Sequence, residues 1–194
     1  ILPIVNKLFT YNNPILTQHI HGISFDNPIG LAAGFDKSCE VPKALENIGF
    51  GAIELGGITP KPQPGNPKPR MYRLLEDDAI PVGLNVGVNK TTSYENRYQD
   101  YIKVIDTFKN DVSFFTVNIS SPNTENLQNF HDEDEFSMLC DALNTFKAKN
   151  NINVPIFLKL TSDMELDGFK KILPSITDTF DGVVLANTTR QRDG

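Results

Sequence analysis

Polar side chains of a few chemical types recur where short apolar runs of this sequence end. Lys37 follows one run, Asn85 and Asn118 lie near the ends of two others, and Lys159 lies inside a fourth. A lysine ammonium is costly to bury without a partner, so Lys159 indicates a function more than a structural role. Asn118 indicates a function in the same way, with a hydrogen-bonded amide of the core as the alternative. Together these amide and cationic groups suit a planar, anionic ligand that forms hydrogen bonds, such as a flavin or a pyrimidine.

The elements that must position these residues are short apolar runs that alternate with amphipathic stretches. The runs are rich in β-branched residues and nearly continuous, which is typical of strands buried on both faces of a parallel sheet. They span residues 31–34, 52–55, 82–86, 114–119, 156–160 and 183–186, and helical stripes at 41–48, 94–108, 136–146 and 166–176 separate most of them. This alternation predicts an α/β fold with right-handed crossovers, either a doubly wound sheet or a (β/α)8 barrel.

One connection departs from this pattern. Residues 59–81 contain no helical stripe, and residues 61–70 include four prolines. Since a connection between parallel strands needs a crossover of about a dozen residues or more, we expect a segment to be missing at the junction of Ile80 and Pro81. The proline-rich stretch could also be a ligand for SH3-type domains, but its position directly after a strand favours a loop of the fold.

The first residues form a separate segment. Apolar residues at positions 1, 4, 5, 8 and 9 predict a helix that ends before Asn12-Asn13-Pro14. This helix either packs on the core or presents its apolar face to a membrane or a lipophilic ligand. No run of the sequence approaches the roughly 18–20 apolar residues that a membrane span requires.

Composition and the remaining motifs exclude several classes of function. The net charge of −6 and a pI of about 5.0 argue against a nucleic-acid-binding surface. Two cysteines, Cys39 and Cys140, are too few for a disulfide framework and suit a reducing compartment. The three histidines, His19, His21 and His131, follow no ligand spacing, so we predict no metal site. The sequence also contains neither a Gly-x-Ser-x-Gly elbow nor a Walker loop.

Three motifs carry a resemblance to a known family. They are Leu-Ala-Ala-Gly-Phe-Asp-Lys at residues 31–37, the proline-rich segment 59–70, and Asn-Ile-Ser-Ser-Pro-Asn-Thr at residues 118–124. From about Gly22 onward the chain resembles the dihydroorotate dehydrogenases. At position 121 the other main class has cysteine, whereas the serine found here is similar to the membrane-associated, quinone-reducing class. The segment 65–70 is similar to that class as well.

The resemblance implies a (β/α)8 barrel that holds FMN at the carboxyl ends of its strands. It implies oxidation of (S)-dihydroorotate to orotate in pyrimidine biosynthesis, with a quinone as acceptor, by a protein peripherally attached to a cell membrane or inner mitochondrial membrane. By position, Ser121 matches the base that takes the C5 proton, and Thr124 matches its relay. Residues that match substrate-binding positions are Lys37, Asn118, Asn123, Asn187 and Thr188, and those that match flavin contacts are Ala33, Gly34, Gly57, Asn85, Asn118 and Lys159.

The chain departs from the pattern of this family in three respects. Gly57 stands where a hydroxyl residue is usual, which leaves only its backbone N–H for flavin. A substrate-contacting segment is absent at 80/81, and about six of the eight strands are present in a chain shorter than the roughly 250 residues of such barrels. We therefore expect an incomplete chain, with a helical segment at residues 1–22 and a partial barrel at residues 23–194.

Other functions remain open at this point. One alternative is a soluble relative that passes electrons to fumarate or NAD, and another is a non-catalytic barrel remnant. A helix that precedes residue 1 would pair with the first helix to form a lipophilic quinone tunnel, with Arg73 as a candidate tunnel residue or an ordinary surface cation.

Overall fold

A six-stranded parallel sheet forms the centre of the fold. The computed structural model describes residues 2–11, 13–61, 80–120, 133–161, 163–164 and 166–186. The strands of the sheet are β3 (Gly30–Leu31), β4 (Ala52–Ile58), β5 (Val82–Val86), β6 (Phe114–Asn118), β7 (Ile156–Lys159) and β8 (Gly182–Val184). They lie side by side in chain order and are parallel throughout. A doubly wound sheet would reverse its order at a switch point, so the unbroken order confirms a partial (β/α)8 barrel.

Helices follow the strands at the expected places. They are α2 (Pro42–Leu45, extended by a 3₁₀ turn at Glu46–Ile48), α3 (Arg97–Phe108, preceded by a 3₁₀ turn at Tyr94–Asn96), α4 (Glu133–Asn150) and α5 (Leu166–Thr179). Gly49 ends the first of these with φ of +90°, a left-handed conformation that glycine adopts without strain. Each of the four helical stripes of the sequence therefore corresponds to a helix.

The two faces of the sheet have different roles. One face packs against the helices: Ile53, Leu84, Phe115 and Leu158 point to it and are fully or almost fully buried in the core. The residues that alternate with these along each strand point to the opposite, concave face, where a barrel has its interior. The sheet–helix core thus holds the strands in place, while the concave face presents polar side chains near the strand ends.

Two strands outside the sheet were not evident from the sequence. β1 (Gln18–Ile20) and β2 (Ile23–Phe25) pair antiparallel as a hairpin. Phe25 packs 6.5 Å from Phe114 and His21 packs 6.0 Å from Phe157, measured between ring centroids. Since these contacts lie at the amino ends of β6 and β7, the hairpin covers the end of the sheet opposite to the polar strand ends. The boundary proposed at residue 22 falls in the turn of this hairpin.

The N-terminal helix lies at the surface. α1 (Leu2–Phe9) packs on the 3₁₀ turn at Glu46–Ile48, and its last carbonyl approaches Gly49 so closely that a Cβ there would collide with it. Leu8 and Phe9 are 73% and 63% exposed. For these side chains the structure favours a surface helix with an exposed apolar face over a core helix. None of the helices in the described ranges combines the length and the hydropathy that a transmembrane helix requires.

The connection between β4 and β5 includes residues 62–79, which lie outside the described residues. β4 and β5 nevertheless pair directly, with Ile53 opposite Val82 and the Ile53 N–H bonded to the Pro81 carbonyl oxygen at 3.0 Å. The expected gap at 80/81 therefore stays a prediction.

Candidate active site

Three of the predicted site residues meet at the carboxyl ends of adjacent strands. Asn118 on β6 lies directly opposite Lys159 on β7, and Asn85 on β5 lies two strands from Lys159. Asn85 is 1% exposed and Lys159 is 8% exposed. The Asn118 side-chain amide donates to Asn85 Oδ1 at 3.0 Å, so the two amides touch across the strands. The sheet therefore brings together the amides and the lysine that the sequence pattern singled out.

The two amides belong to a longer chain of hydrogen bonds, which we call the amide relay: Ala33, Glu54, Asn85, Asn118 and Ser120. The backbone N–H of Ala33 donates to Glu54 Oε2 at 3.3 Å, and the Asn85 side chain donates to Glu54 Oε1 at 3.1 Å. At the other end, the Ser120 N–H donates to Asn118 Oδ1 at 3.0 Å, and its hydroxyl lies 2.9 Å from the same atom. The relay thus runs from the loop after β3, across β4 and β5, to the end of β6.

Glu54 was missed by the sequence reasoning, although the signal was available. It is a single carboxylate inside the apolar run 52–55, as Lys159 is a single cation inside the run 156–160. The logic that selected Lys159 applies equally to Glu54, because a charged group in a buried strand requires a partner or a function.

Lys159 differs from Glu54 in its surroundings. Among the described residues, no carboxylate lies within ion-pairing distance of its ammonium. Its neighbours across the strands are Asn118 and Val184. A buried cation beside uncharged amides suits an anionic or electron-rich ligand, because such a ligand would supply the missing negative charge.

The loop after β3 brings its own predicted residues to the same end of the sheet. Buried Asp36 accepts hydrogen bonds from the backbone N–H groups of Glu40 at 2.9 Å and Val41 at 3.0 Å. The Asp36 carbonyl oxygen also accepts from the Gly56 N–H at 3.3 Å, which ties the loop to β4. Lys37, which follows Asp36 in this loop, is exposed.

Gly57 lies beside the relay. A Cβ at this position would be 3.2 Å from Asn85 Oδ1, a distance tighter than ordinary contact. Gly56 before it has φ of +100°, and the ladder with β5 shifts register between Gly56 and Ile58. The backbone of β4 is thus displaced next to Asn85, and Gly57 places no side chain between the two strands there.

A further side-chain amide, that of Asn89, joins the loops that follow β4 and β5. Asn89 Oδ1 accepts from the Lys61 N–H at 3.0 Å, and Asn89 Nδ2 donates to the Lys61 carbonyl oxygen at 2.8 Å. The buried Asp100 carboxylate then accepts from the Asn89 N–H and from the Thr92 hydroxyl, both at 2.8 Å. No local pattern in the sequence marks Asn89 for this role, because its partner lies 28 positions away.

The end of β6 is fixed from the helix side by Tyr101. This residue is fully buried on α3 and donates its hydroxyl to the Asn118 carbonyl oxygen at 3.0 Å. Burial, and then the nearby Glu135 carboxylate, raise the pKa of Tyr101 far above its usual value. The hydroxyl therefore remains a donor, and the backbone of Asn118 stays anchored on one side while its side chain joins the relay on the other.

Several predicted residues lie outside the described residues. They are Ser121, Asn123, Thr124, Asn187, Thr188 and the tunnel candidate Arg73. Their roles stay predictions. Of the remaining predicted residues, Ala33, Asn85 and Asn118 are joined in the relay, while Gly34, Lys37, Gly57 and Lys159 lie around it.

Fold and site together define a class: a partial (β/α)8 barrel with a polar, cationic ligand site at its strand ends. A sequence model of the family described as dihydroorotate dehydrogenase matches residues 15–81 and 75–194. The chain belongs to the dihydroorotate dehydrogenase family.

Individual relatives agree with this membership. Proteins named dihydroorotate dehydrogenase (quinone) from Rhizobium rhizogenes and Allorhizobium ampelinum are 37% and 38% identical to the chain, and each alignment covers 94% of it. Among solved structures, a dihydroorotate dehydrogenase (DHODH) from Eimeria tenella in complex with ferulenol superposes with a TM-score of 0.80 at 27% identity. The match covers 98% of this chain and 65% of the Eimeria chain.

The chain spans 58% of the length of these two curated relatives. The Rhizobium rhizogenes alignment runs over 213 residues although it covers 94% of a chain of 194, so that relative carries internal residues without a counterpart here. The two segments matched by the family also overlap at residues 75–81. Neither finding gives the position of the unmatched residues, so the gap expected at 80/81 stays a prediction.

Proposed function

We propose that the protein is a quinone-dependent dihydroorotate dehydrogenase, which oxidises (S)-dihydroorotate to orotate with FMN as cofactor in pyrimidine biosynthesis. The observation that carries this proposal is the meeting of Asn85, Asn118 and Lys159 at adjacent strand ends. The names of the relatives supply the reaction, and the amide and cationic groups of the described residues support a flavin as the ligand.

The donor set fits a flavin. Lys159 is a buried cation without a carboxylate among the described residues; Asn118 lies opposite it, and the Asn118 amide in turn contacts Asn85. Residues that would hold FMN are Ala33, Gly34, Asn85, Asn118 and Lys159, with the backbone N–H of Gly57. When bound, FMN supplies the hydride acceptor and the route by which electrons pass to the quinone. Lys159 would stabilise negative charge that develops on such a ring system.

The substrate would be held and deprotonated by side chains at the rim and on the loop after β6. Lys37 would bind the carboxylate of dihydroorotate, with Asn118, Asn123, Asn187 and Thr188 as hydrogen-bonding partners. Ser121 would take the C5 proton. A serine hydroxyl is a weak base at neutral pH, so Thr124 would relay the proton onward.

The quinone would approach from the side of α1, where Leu8 and Phe9 expose apolar surface. One short helix binds a membrane weakly, and stable attachment generally needs a second signal. We therefore propose peripheral association with a cell membrane or inner mitochondrial membrane, with Arg73 lining the path of the quinone.

The flavin and substrate roles are tested with three substitutions in the purified protein. Ser121→Ala should retain bound FMN but reduce it about 10²–10⁴-fold more slowly with dihydroorotate, the usual scale for a general base. Lys37→Ala should weaken orotate binding with flavin content unchanged, whereas Lys159→Ala should lose flavin or shift its reduction potential. Colourless wild-type protein that takes up no added FMN would refute the proposal.

The acceptor is tested by making α1 polar. The double variant Leu8→Gln/Phe9→Gln should keep dihydroorotate-driven flavin reduction while quinone reduction falls. Ile15→Gln is the control, because Ile15 is 81% exposed but lies outside the helix. If NAD or fumarate reoxidised the flavin as fast as a quinone, the proposed class would be wrong.

A further inference from the structure

The amide relay begins and ends with a backbone donor. At one end the Ala33 N–H donates to Glu54, and at the other the Ser120 N–H donates to Asn118. A backbone N–H cannot accept a hydrogen bond, whatever the side chains beside it do. The members between these ends must therefore be compatible with a donor on both sides.

Each amide in the relay has a direction. Asn85 gives its Nδ2 to Glu54 and offers its Oδ1 to Asn118, and Asn118 repeats the same orientation toward Ser120. An amide that accepts from one neighbour with its oxygen therefore turns its NH₂ toward the other neighbour, which must in turn accept. Where each side chain meets its two neighbours through different atoms, as in this relay, amides alone cannot join two donor ends without placing two donors against each other.

An ionised carboxylate removes this conflict, since it accepts on both sides. Glu54 uses two different oxygens, Oε2 toward Ala33 and Oε1 toward Asn85. We propose that Glu54 is a positioning residue that sets the direction of both amides in the site. It leaves one N–H of Asn85 and one of Asn118 without a partner among the described residues, so both amides present donors to the ligand.

The consequence for the ligand rests on the proposed flavin site. Atoms of a bound ring that face Asn85 and Asn118 must be acceptors, namely carbonyl oxygens or unprotonated ring nitrogens. If the amides were reversed, they would offer oxygens to those same atoms and repel them. Glu54 would thus select for ring acceptors without touching the ring.

Glu54→Gln is nearly isosteric and tests the relay directly. If the oxygen of the introduced amide accepts the hydrogen bond from the Ala33 N–H, its NH₂ faces the NH₂ of Asn85. Turning Asn85 around would only move this contact between two donors to the next pair of the relay. We expect the melting temperature to fall by roughly 2–8 °C and the FMN dissociation constant of the apoprotein to rise about 10- to 100-fold. Glu40→Gln, which removes one exposed carboxylate outside the relay, should change neither quantity.

A second substitution should restore the relay. In Glu54→Gln/Asn85→Asp the carboxylate moves one position along, so that it accepts from the introduced amide on one side and from Asn118 on the other. Asn85→Asp alone should be destabilising, because two carboxylates then face each other where the present bond is 3.1 Å. The double variant should melt above either single variant. It should still bind FMN more weakly than wild type, because a carboxylate in place of Asn85 offers the ring no donor.

Each result separates the relay from the proposed function. If the decreases in melting temperature of the two single variants simply add in the double variant, the relay is refuted, whether or not the protein binds FMN. Recovery in a protein that never binds FMN would uphold the relay and refute the flavin site. If Glu54→Gln fails to fold, regain of folded protein on adding Asn85→Asp is the same recovery, and its absence refutes the relay.

Discussion

The aromatic layer at the amino ends of the strands allows a stability prediction with a worked magnitude. Gly83 on β5 lies against the ring of Phe114 on the next strand, and a Cβ at position 83 would be 2.7 Å from Cδ2 and nearer still to two other ring atoms. Carbon atoms in contact lie about 3.5–4.0 Å apart, so the ring would have to move by roughly 1 Å or more. It has little room, because its centroid is 5.6 Å from that of Phe157.

We therefore expect Gly83→Ala to destabilise the protein. Overpacking of this kind costs about 1–3 kcal/mol. Replacing glycine lowers the conformational entropy of the unfolded chain, which stabilises the folded state by roughly 0.5–1 kcal/mol. Because three ring atoms lie within 2.7 Å of the new Cβ, the upper part of the overpacking range applies, about 2–3 kcal/mol. The net loss of about 1–2.5 kcal/mol corresponds to a fall in melting temperature of roughly 2–10 °C for a domain of this size. Calorimetry or thermal circular dichroism measures it directly.

Gly168→Ala is the matched control. Gly168 lies in α5, where a Cβ would meet no atom within 4 Å, so alanine should raise the melting temperature by roughly 1–4 °C. Adding Phe114→Leu to Gly83→Ala should recover part of the loss, because the smaller side chain leaves space for the new methyl group. A Gly83→Ala protein as stable as wild type would refute the packing argument.

Three further predictions concern residues around the site. Asn89→Ala removes both hydrogen bonds to Lys61 and should lower the unfolding free energy by about 1–3 kcal/mol in urea titrations, while Asn89→Asp should keep part of it. Tyr101→Phe leaves a buried carbonyl unpaired and should cost a similar amount; no change in the urea midpoint would contradict its anchoring role. Burial raises the pKa of Cys39 and Cys140 from 9.0 to about 11, so neither thiol should react with a thiol reagent in the native protein at pH 8. Stability should fall as the pH rises from about 9 to 11, because the unfolded state then loses these protons first. Rapid labelling of the folded protein would contradict this.

Much of the sheet was predictable because buried parallel strands leave a strong local signal. The run 82–86 coincides with β5, and the runs at 114–119 and 156–160 each extend one residue beyond their strands. The first run fits less well, since β3 ends at Leu31. The Ala33 N–H bonds to Glu54 rather than continuing the ladder, and that contact spans 21 positions of the chain.

Residues with chemistry were found where their neighbours in the sequence are apolar. Lys159 and Asn118 stand out inside buried strands, since a polar group there needs a reason. The same reasoning would have found Glu54, but its purpose would have remained hidden. That purpose depends on Asn85, which lies 31 positions away and reaches Glu54 only across two paired strands.

The sequence by itself determined the alternation of strands and helices and the chemical types gathered at the strand ends, because burial periodicity and charge are properties of short segments. Only the tertiary structure decided the order of the strands, and hence the choice of a barrel over a doubly wound sheet. It also decided the hairpin beneath β6 and β7, the Asn89 contact with Lys61, and the direction of the amide relay. These features rest on contacts between segments far apart in the chain, and a hydrogen bond acquires its direction only when both partners are in place.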